Sequence, residues 1–167
     1  MAQWHLAQLN LARAVAPLDS PELAEFVGAL ARINALADSA PGFVWRLAGE
    51  NAAAPAAVAT DDPRLLLNMS IWTSPEALFD YVYKSAHSEV MVKRRQWFEK
   101  PAQAHQVLWW VPAGYVPTLA EGLERLEQLR REGPTASAFT FKQRFPTPDA
   151  QSGPRDMQPE PYCGGWR

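Results

Sequence analysis

Two periodicities that alternate along one chain predict an α+β domain built on an antiparallel sheet. Runs with the two-residue period of a strand, or apolar throughout, start near Trp4, Phe43, Leu65 and Gln106. Runs with apolar residues three and four apart start at Pro21 and Pro75. Both helical runs open on Ser-Pro, at Ser20-Pro21 and Ser74-Pro75, where the hydroxyl can accept an orphan amide and proline's fixed φ suits the first turn. The resulting order is β-α-β-β-α-β.

Trp4 to Leu11 alternates as a strand. Trp4, Leu6, Gln8 and Asn10 share one face, and His5, Ala7, Leu9 and Leu11 share the other, more apolar one. Leu23, Phe26, Val27, Leu30, Ile33 and Asn34 then form a stripe that predicts a helix over 21–38, ended by Pro41 and Gly42. Phe43 to Leu47 is rich in strand formers and, as a regular strand, puts Phe43, Trp45 and Leu47 on one face. Ala52 to Pro63 has neither period and reads as an exposed hairpin loop. Leu65 to Trp72 is the third strand, with Leu65, Leu67, Met69 and Ile71 on one side and Leu66, Asn68, Ser70 and Trp72 on the other. From Ser74-Pro75 one long helix is expected to run until Lys100-Pro101 stops it. Gln106 to Val111, apolar on both faces, is the fourth strand.

Thr118 and Glu121 have the spacing of a capping box and open a further helix, striped by Leu119, Leu123, Leu126 and Leu129 and closed by Gly133-Pro134. Ala138 to Gln143 is a short candidate fifth strand. From Phe145 onward, five Pro and three Gly break every period, so the domain is assigned to residues 1–148 and a Pro/Gly-rich tail to 149–167. The core order is the split βαβ of the ferredoxin-like fold, with an antiparallel sheet and helices on one face. A sheet sheathed on one side, yet carrying Trp and Leu on both, leaves an apolar surface that the sister sheet of a two-fold homodimer would cover.

Composition sets limits on function. The 167 residues suit one domain, which commonly holds about 100–150 and buries roughly two-thirds of its unfolded surface. A 47% hydrophobic content with seven Trp is incompatible with disorder over most of the length. A formal net charge of −2 with thinly spread Lys and Arg gives no footprint for a phosphate backbone, so nucleic acid is not an expected partner. Met1 to Asn10 lacks a signal-peptide pattern and no run of about 18 apolar residues occurs, so no membrane segment is expected and a cytoplasmic location is. Cys163 is the single cysteine, which excludes an intrachain disulfide and reads as a tail thiol without a role.

Several runs resemble an uncharacterised bacterial family known only as a domain of unknown function. They are Leu6-Ala7-Gln8-Leu9-Asn10, Asn34-Ala35-Leu36-Ala37-Asp38, Pro41-Gly42-Phe43-Val44-Trp45-Arg46, Leu67-Asn68-Met69-Ser70-Ile71-Trp72, Ala86-His87, Arg94-Arg95-Gln96-Trp97-Phe98 and Trp109-Trp110-Val111-Pro112-Ala113-Gly114. The resemblance spans roughly residues 3–148. It implies the dimeric α/β-barrel fold, beside the antibiotic-biosynthesis monooxygenases, and a homodimer. It carries no established reaction or catalytic residues. The wider group includes cofactor-free oxygenases of aromatic substrates, haem-degrading enzymes, isomerases, dehydratases and proteins without known activity, so fold alone does not choose a chemistry.

Candidate site residues concentrate on the expected 75–100 helix. At about 100° per residue, Phe79, Tyr83, Ala86, His87, Val90, Met91, Arg94, Trp97 and Phe98 fall on one broad face. Tyr83 and His87 are four apart, and Arg94 lies about two turns beyond. One reading makes His87 a proton carrier oriented by Tyr83, with Arg94 holding an anionic or enolic oxygen. The other makes them satisfied rim groups, with the Arg94 stem covering Trp97. Asn10, Asn68 and Ser70, with Gln8, collect amides and a hydroxyl near Trp45 and Trp72. With Met91, Trp97 and Phe98 they form a candidate small-molecule pocket if they face the helices, and an interface network if they do not.

Trp109 and Trp110 point to opposite faces, so one of them is core. His5, His87 and His105 have no chelating spacing, and no metal site is expected; a haem with one axial histidine stays open. There is no Gly-rich phosphate loop, no Gly-x-Ser-x-Gly elbow and no Cys nucleophile context. Three functions compete: a cofactor-independent enzyme (monooxygenase, isomerase or dehydratase type) on an aromatic or polyketide-like compound, a non-catalytic ligand- or haem-sensing dimer, and an interaction module that uses the tail.

Overall fold

The computed structural model describes residues 3–48, 56–57 and 62–151. Cys163, nearly all of the 149–167 tail and most of the 52–63 loop lie outside the described residues. Strand β1 (Trp4–Arg13) leads through a single 3-10 turn at Pro21–Leu23 into helix α1 (Ala24–Asp38). The chain reverses at Gly42, whose φ of +82° is open to glycine and whose missing Cβ would stand 2.5 Å from Ala77 Cβ and 2.6 Å from Thr73 Oγ1. Strand β2 (Phe43–Arg46), the two-residue β3 (Ala56–Ala57) and β4 (Leu65–Trp72) follow.

The sheet has the order β2-β4-β1-β5, every neighbour antiparallel, with β3 also on β4 and β5 spanning Gln106–Pro112. Sequential first and third core strands at the centre, flanked by the fourth and second, is the ferredoxin-like order, and the predicted α+β class is what the chain adopts. Central β1 is paired along its length with β4 and β5, so its residues fix the register of both faces. Leu67, Met69 and Ile71 enter one apolar cluster with Ala7, Leu9, Val107, Trp109 and Val111. The opposite face carries Leu6, Trp72 and Leu108 toward α2, and Leu66 toward α1.

Four features differ from the sequence expectation. The long 75–100 helix is two: α2 (Pro75–Lys84) and α3 (His87–Trp97), parted at Ser85, whose φ of −99° and ψ of 179° are extended. The Ser85 hydroxyl donates to the Tyr81 carbonyl and accepts from the His87 amide at 3.1 Å, the local bonding by which serine competes with a continuous helix. Strand β2 bulges between Phe43 and Trp45, opposite Trp72 and Ile71, so one residue of phase is lost. Phe43 therefore meets Trp72 at 5.4 Å on the α2 side, while Trp45 and Leu47 pack against the cluster on the other face.

The third difference bears on assembly. Helix α4 (Leu119–Glu132) buries Leu126 and Leu129 in the Leu9–Met69–Trp109 cluster, so the face predicted to be bare is covered within the chain. Gly122 allows the close approach, since a Cβ there would stand 2.7 Å from Leu9 Cδ1 and 3.1 Å from Met69 Sδ. The capping box forms by half: Thr118 Oγ1 accepts from the Glu121 amide at 3.1 Å, but Glu121 instead accepts from Trp109 Nε1 at 3.2 Å and Tyr115 OH at 2.8 Å. Fourth, the expected strand at 138–143 is reduced to two isolated bridges, Ala138 with Thr135 and Phe139 with Leu108, each pair exchanging backbone hydrogen bonds. Phe139 is fully buried there with Leu6 and Trp72. Past it, Phe145 accepts from Trp110 Nε1 at 2.9 Å, and a four-residue helix, α5 (Pro148–Gln151), ends the described chain. Among the described residues no helix is long and apolar enough to cross a membrane.

Candidate functional site

A cavity of about 240 Å³ lies between the sheet and helices α1, α2 and α3. Its floor follows from strand parity. Asn10 of β1 is flanked across the sheet by Asn68 on β4 and Gln106 on β5, one row from Gln8 with Ser70 and Leu108. Gln8 Nε2 donates to Asn68 Oδ1 and, at 2.9 Å, to Ser70 Oγ, which also accepts from Trp72 Nε1 at 2.9 Å. Gln106 Nε2 reaches Gln8 Oε1 at 3.4 Å. The row is thus bonded internally except at one point: Asn10 Oδ1 is buried with no hydrogen-bond partner. An unmet buried acceptor costs on the order of 1–3 kcal/mol, which a donor in the cavity would offset.

The wall is set by the Ser85 break. With α2 and α3 no longer collinear, the His87 ring packs 4.8 Å from Tyr81, which stacks on Trp72 at 5.1 Å and donates to the Ile33 carbonyl at 3.3 Å. His87 Nδ1 lies 3.3 Å from the Val82 carbonyl oxygen. A carbonyl can only accept, so Nδ1 carries the proton and Nε2 is the lone-pair nitrogen. Burial holds the imidazolium below its ordinary range, and the Arg94 charge adds to this against the Val82 bond, so His87 is neutral at pH 7. Burial also pushes the Tyr81 phenol up to about 12, with the Asp38 charge in the same direction, so it stays protonated.

Arg94 lines the cavity with its guanidinium 5.8 Å from the Phe98 ring centre, and among the described residues it has no carboxylate partner. Burial lowers its pKa as well. His105, at the mouth of β5, is shifted down by burial and by the charges of Arg94 and Arg130. Arg46, bonded to Asp38 at 2.7 Å, contributes a further cation, and no aspartate or glutamate among the described residues lines the space. Apolar side chains of α1 and α3, among them Phe26, Leu30, Val90 and Met91, close it. Among the described residues no group of three or more His, Cys, Asp or Glu stands together as a metal site would require.

A family model described as a domain of unknown function, DUF3291, matches residues 5–155. The chain belongs to that family. No curated protein matches the sequence. Among solved structures it is similar to SnoaB, a cofactor-independent oxygenase from Streptomyces nogalater, at 16% identity and a TM-score of 0.44 over 69% of this chain and 96% of that one. It is similar also to a protein of unknown function from Nitrosomonas europaea, at 14% identity and a TM-score of 0.45 over 71% of this chain and 99% of that one. Likeness at that level carries no statement about chemistry.

In this family member the predicted site residues separate. Asn10, Asn68, Tyr83, His87, Met91, Arg94 and Phe98 line the cavity. Ser70 and Trp72 stand behind it, bonded to Gln8 and stacked on Tyr81. Trp97 is core, 5.5 Å from Phe26, and Trp45 is on the opposite face because of the β2 bulge. Tyr83 does not orient His87: it is 50% exposed at the rim and packs on Phe79 at 4.6 Å, and the ring at His87 is Tyr81. Sequence reasoning missed Tyr81, Asn34, His105 and Gln106 as lining residues. Asn34 was legible as the polar member of an apolar stripe; Tyr81 was not, since six residues do not bring side chains together on an unbroken helix.

Proposed function

We propose that the cavity binds a small, largely apolar molecule of aromatic or polyketide type, and that His87 acts on it as a general base without an organic or metal cofactor. The observation that carries this is the contact of His87 Nδ1 with the Val82 carbonyl, which favours the tautomer of a neutral, half-buried imidazole whose Nε2 keeps its lone pair. In the reaction, Nε2 takes a proton from an acidic C–H or O–H of the ligand, leaving an enolate or phenolate and an imidazolium. Arg94 supplies the charge that such an oxyanion needs, in surroundings where a cation is worth more than in water. The unmet Asn10 carbonyl accepts from a ligand hydroxyl.

This reading supports the oxygenase, isomerase and dehydratase chemistries alike, because each can begin with proton removal; a homodimer is part of it only through the family resemblance. Haem is not required by this reading, because proton removal by Nε2 needs no metal-bound group. The test is deuterium uptake from D₂O into small aromatic enols and 1,3-dicarbonyl compounds. Wild-type protein should accelerate exchange about 100-fold or more over His87→Gln at an unchanged melting temperature. Equal rates for the two proteins would remove the assigned role.

A further inference from the structure

The cavity adjoins a second cleft of about 270 Å³, and Ala12, Arg94 and His105 line both. The other charged residues of the cleft are Arg13, Glu99, Lys100 and Arg130, so four fixed cations meet one carboxylate in a chain of formal net charge −2. Two of the cations are answered locally. Arg13 pairs with Asp62 at 3.0 Å and Glu99 at 3.6 Å, while Arg130 pairs with Glu127 and donates to the Ala104 carbonyl at 2.9 Å. Arg94 and Lys100 have no carboxylate partner among the described residues. A half-buried guanidinium that has given up water without gaining a counter-ion is costly in the free protein and favours an anionic ligand.

We propose that this cleft is an anionic subsite: it takes a carboxylate or phosphate group fixed to the ligand whose apolar body occupies the cavity, with Arg94 at the shared wall and Lys100 in the cleft. The inference rests on the cavity reading above and narrows the ligand class to small ring-bearing acids. Arg94 suits the role because its planar fork can bind two oxygens of one anion, and Lys100 adds a point charge.

Calorimetric titration of the full chain with 2-naphthoate, 2-naphthyl phosphate and neutral 2-naphthamide tests it. A charge-assisted hydrogen bond to the anion should make at least one acid bind about tenfold or more tighter than the amide. The tighter acid identifies the anion. Arg94→Met should erase that preference, and Lys100→Met should weaken the acid about threefold while leaving the amide unchanged. Arg131→Met, on the exposed side of α4, should change neither. If all three compounds bind alike, or if both variants weaken acid and amide equally, the subsite is wrong and the cavity stands. If none binds, both readings fall.

Discussion

At His87, burial and the Arg94 charge disfavour the imidazolium, against the Val82 carbonyl. The net shift is downward from the ordinary value of 6.5, and it links site to stability. Between the folded value and about 6.5, the unfolded chain holds the proton and the folded chain does not, so unfolding free energy rises with pH. The contribution is fully present above about 6.5 and is lost on acidification. His105 shifts the same way. Denaturant titrations between pH 7 and pH 5 should therefore show stability falling toward acid, with a shallower slope in His87→Gln and the remainder reduced further in the double variant with His105→Gln. An unchanged slope in His87→Gln would contradict the neutral, half-buried imidazole. The residue itself was legible as a polar group on an apolar stripe. Its neighbour was not, because Tyr81 reaches it only through the extended backbone at Ser85. The polar strand row was legible by parity, since Gln8, Asn10, Asn68 and Ser70 stand two apart; which face the helices would cover is a tertiary fact that parity does not contain.

Among elements, those with strong periods and clear stops came through intact. Strand β4 runs over the predicted Leu65–Trp72, and helical structure begins after Ser20-Pro21 and Ser74-Pro75, but only Ser74 caps its helix, accepting from the Ala77 amide at 3.1 Å, whereas the Ser20 hydroxyl is buried with no hydrogen-bond partner. The misreadings are places where one local hydrogen bond or one inserted residue changes the phase: Ser85 divides a helix, and the Phe43–Trp45 bulge sends Trp45 away from the cavity. Helix α4 was predicted correctly as an element, but its Leu stripe gave no direction. Its packing has a direct consequence. Leu126 is 1% exposed, so Leu126→Ala should cost about 2–5 kcal/mol in chemical denaturation, whereas Val92→Ala, 82% exposed on α3, should stay within about 0.5 kcal/mol. Comparable small effects at both positions would mean that α4 does not sheathe the sheet.

For the whole molecule, the two-layer argument that called for a sister sheet gives way to three layers in one chain: α1 with α2 and α3, then the sheet, then α4. A dimer made by stacking sheets would have to displace α4; one joined elsewhere would not. The site does not depend on that outcome, because its floor, its histidine and its arginine come from one chain. What makes the site is the coincidence of three sequence features that are individually ordinary: a polar row on central strands, a serine that breaks a helix, and an arginine left without an acid. The most direct measurement is titration of the isotopically labelled chain with small aromatic enols and acids, read by NMR. The account predicts saturable shifts at the side-chain amides of Asn10, Asn68 and Gln106 and at the His87 imidazole, with the Trp109 indole behind the sheet unmoved. Saturable shifts confined to Trp109 and α4, or none at any site, would contradict it.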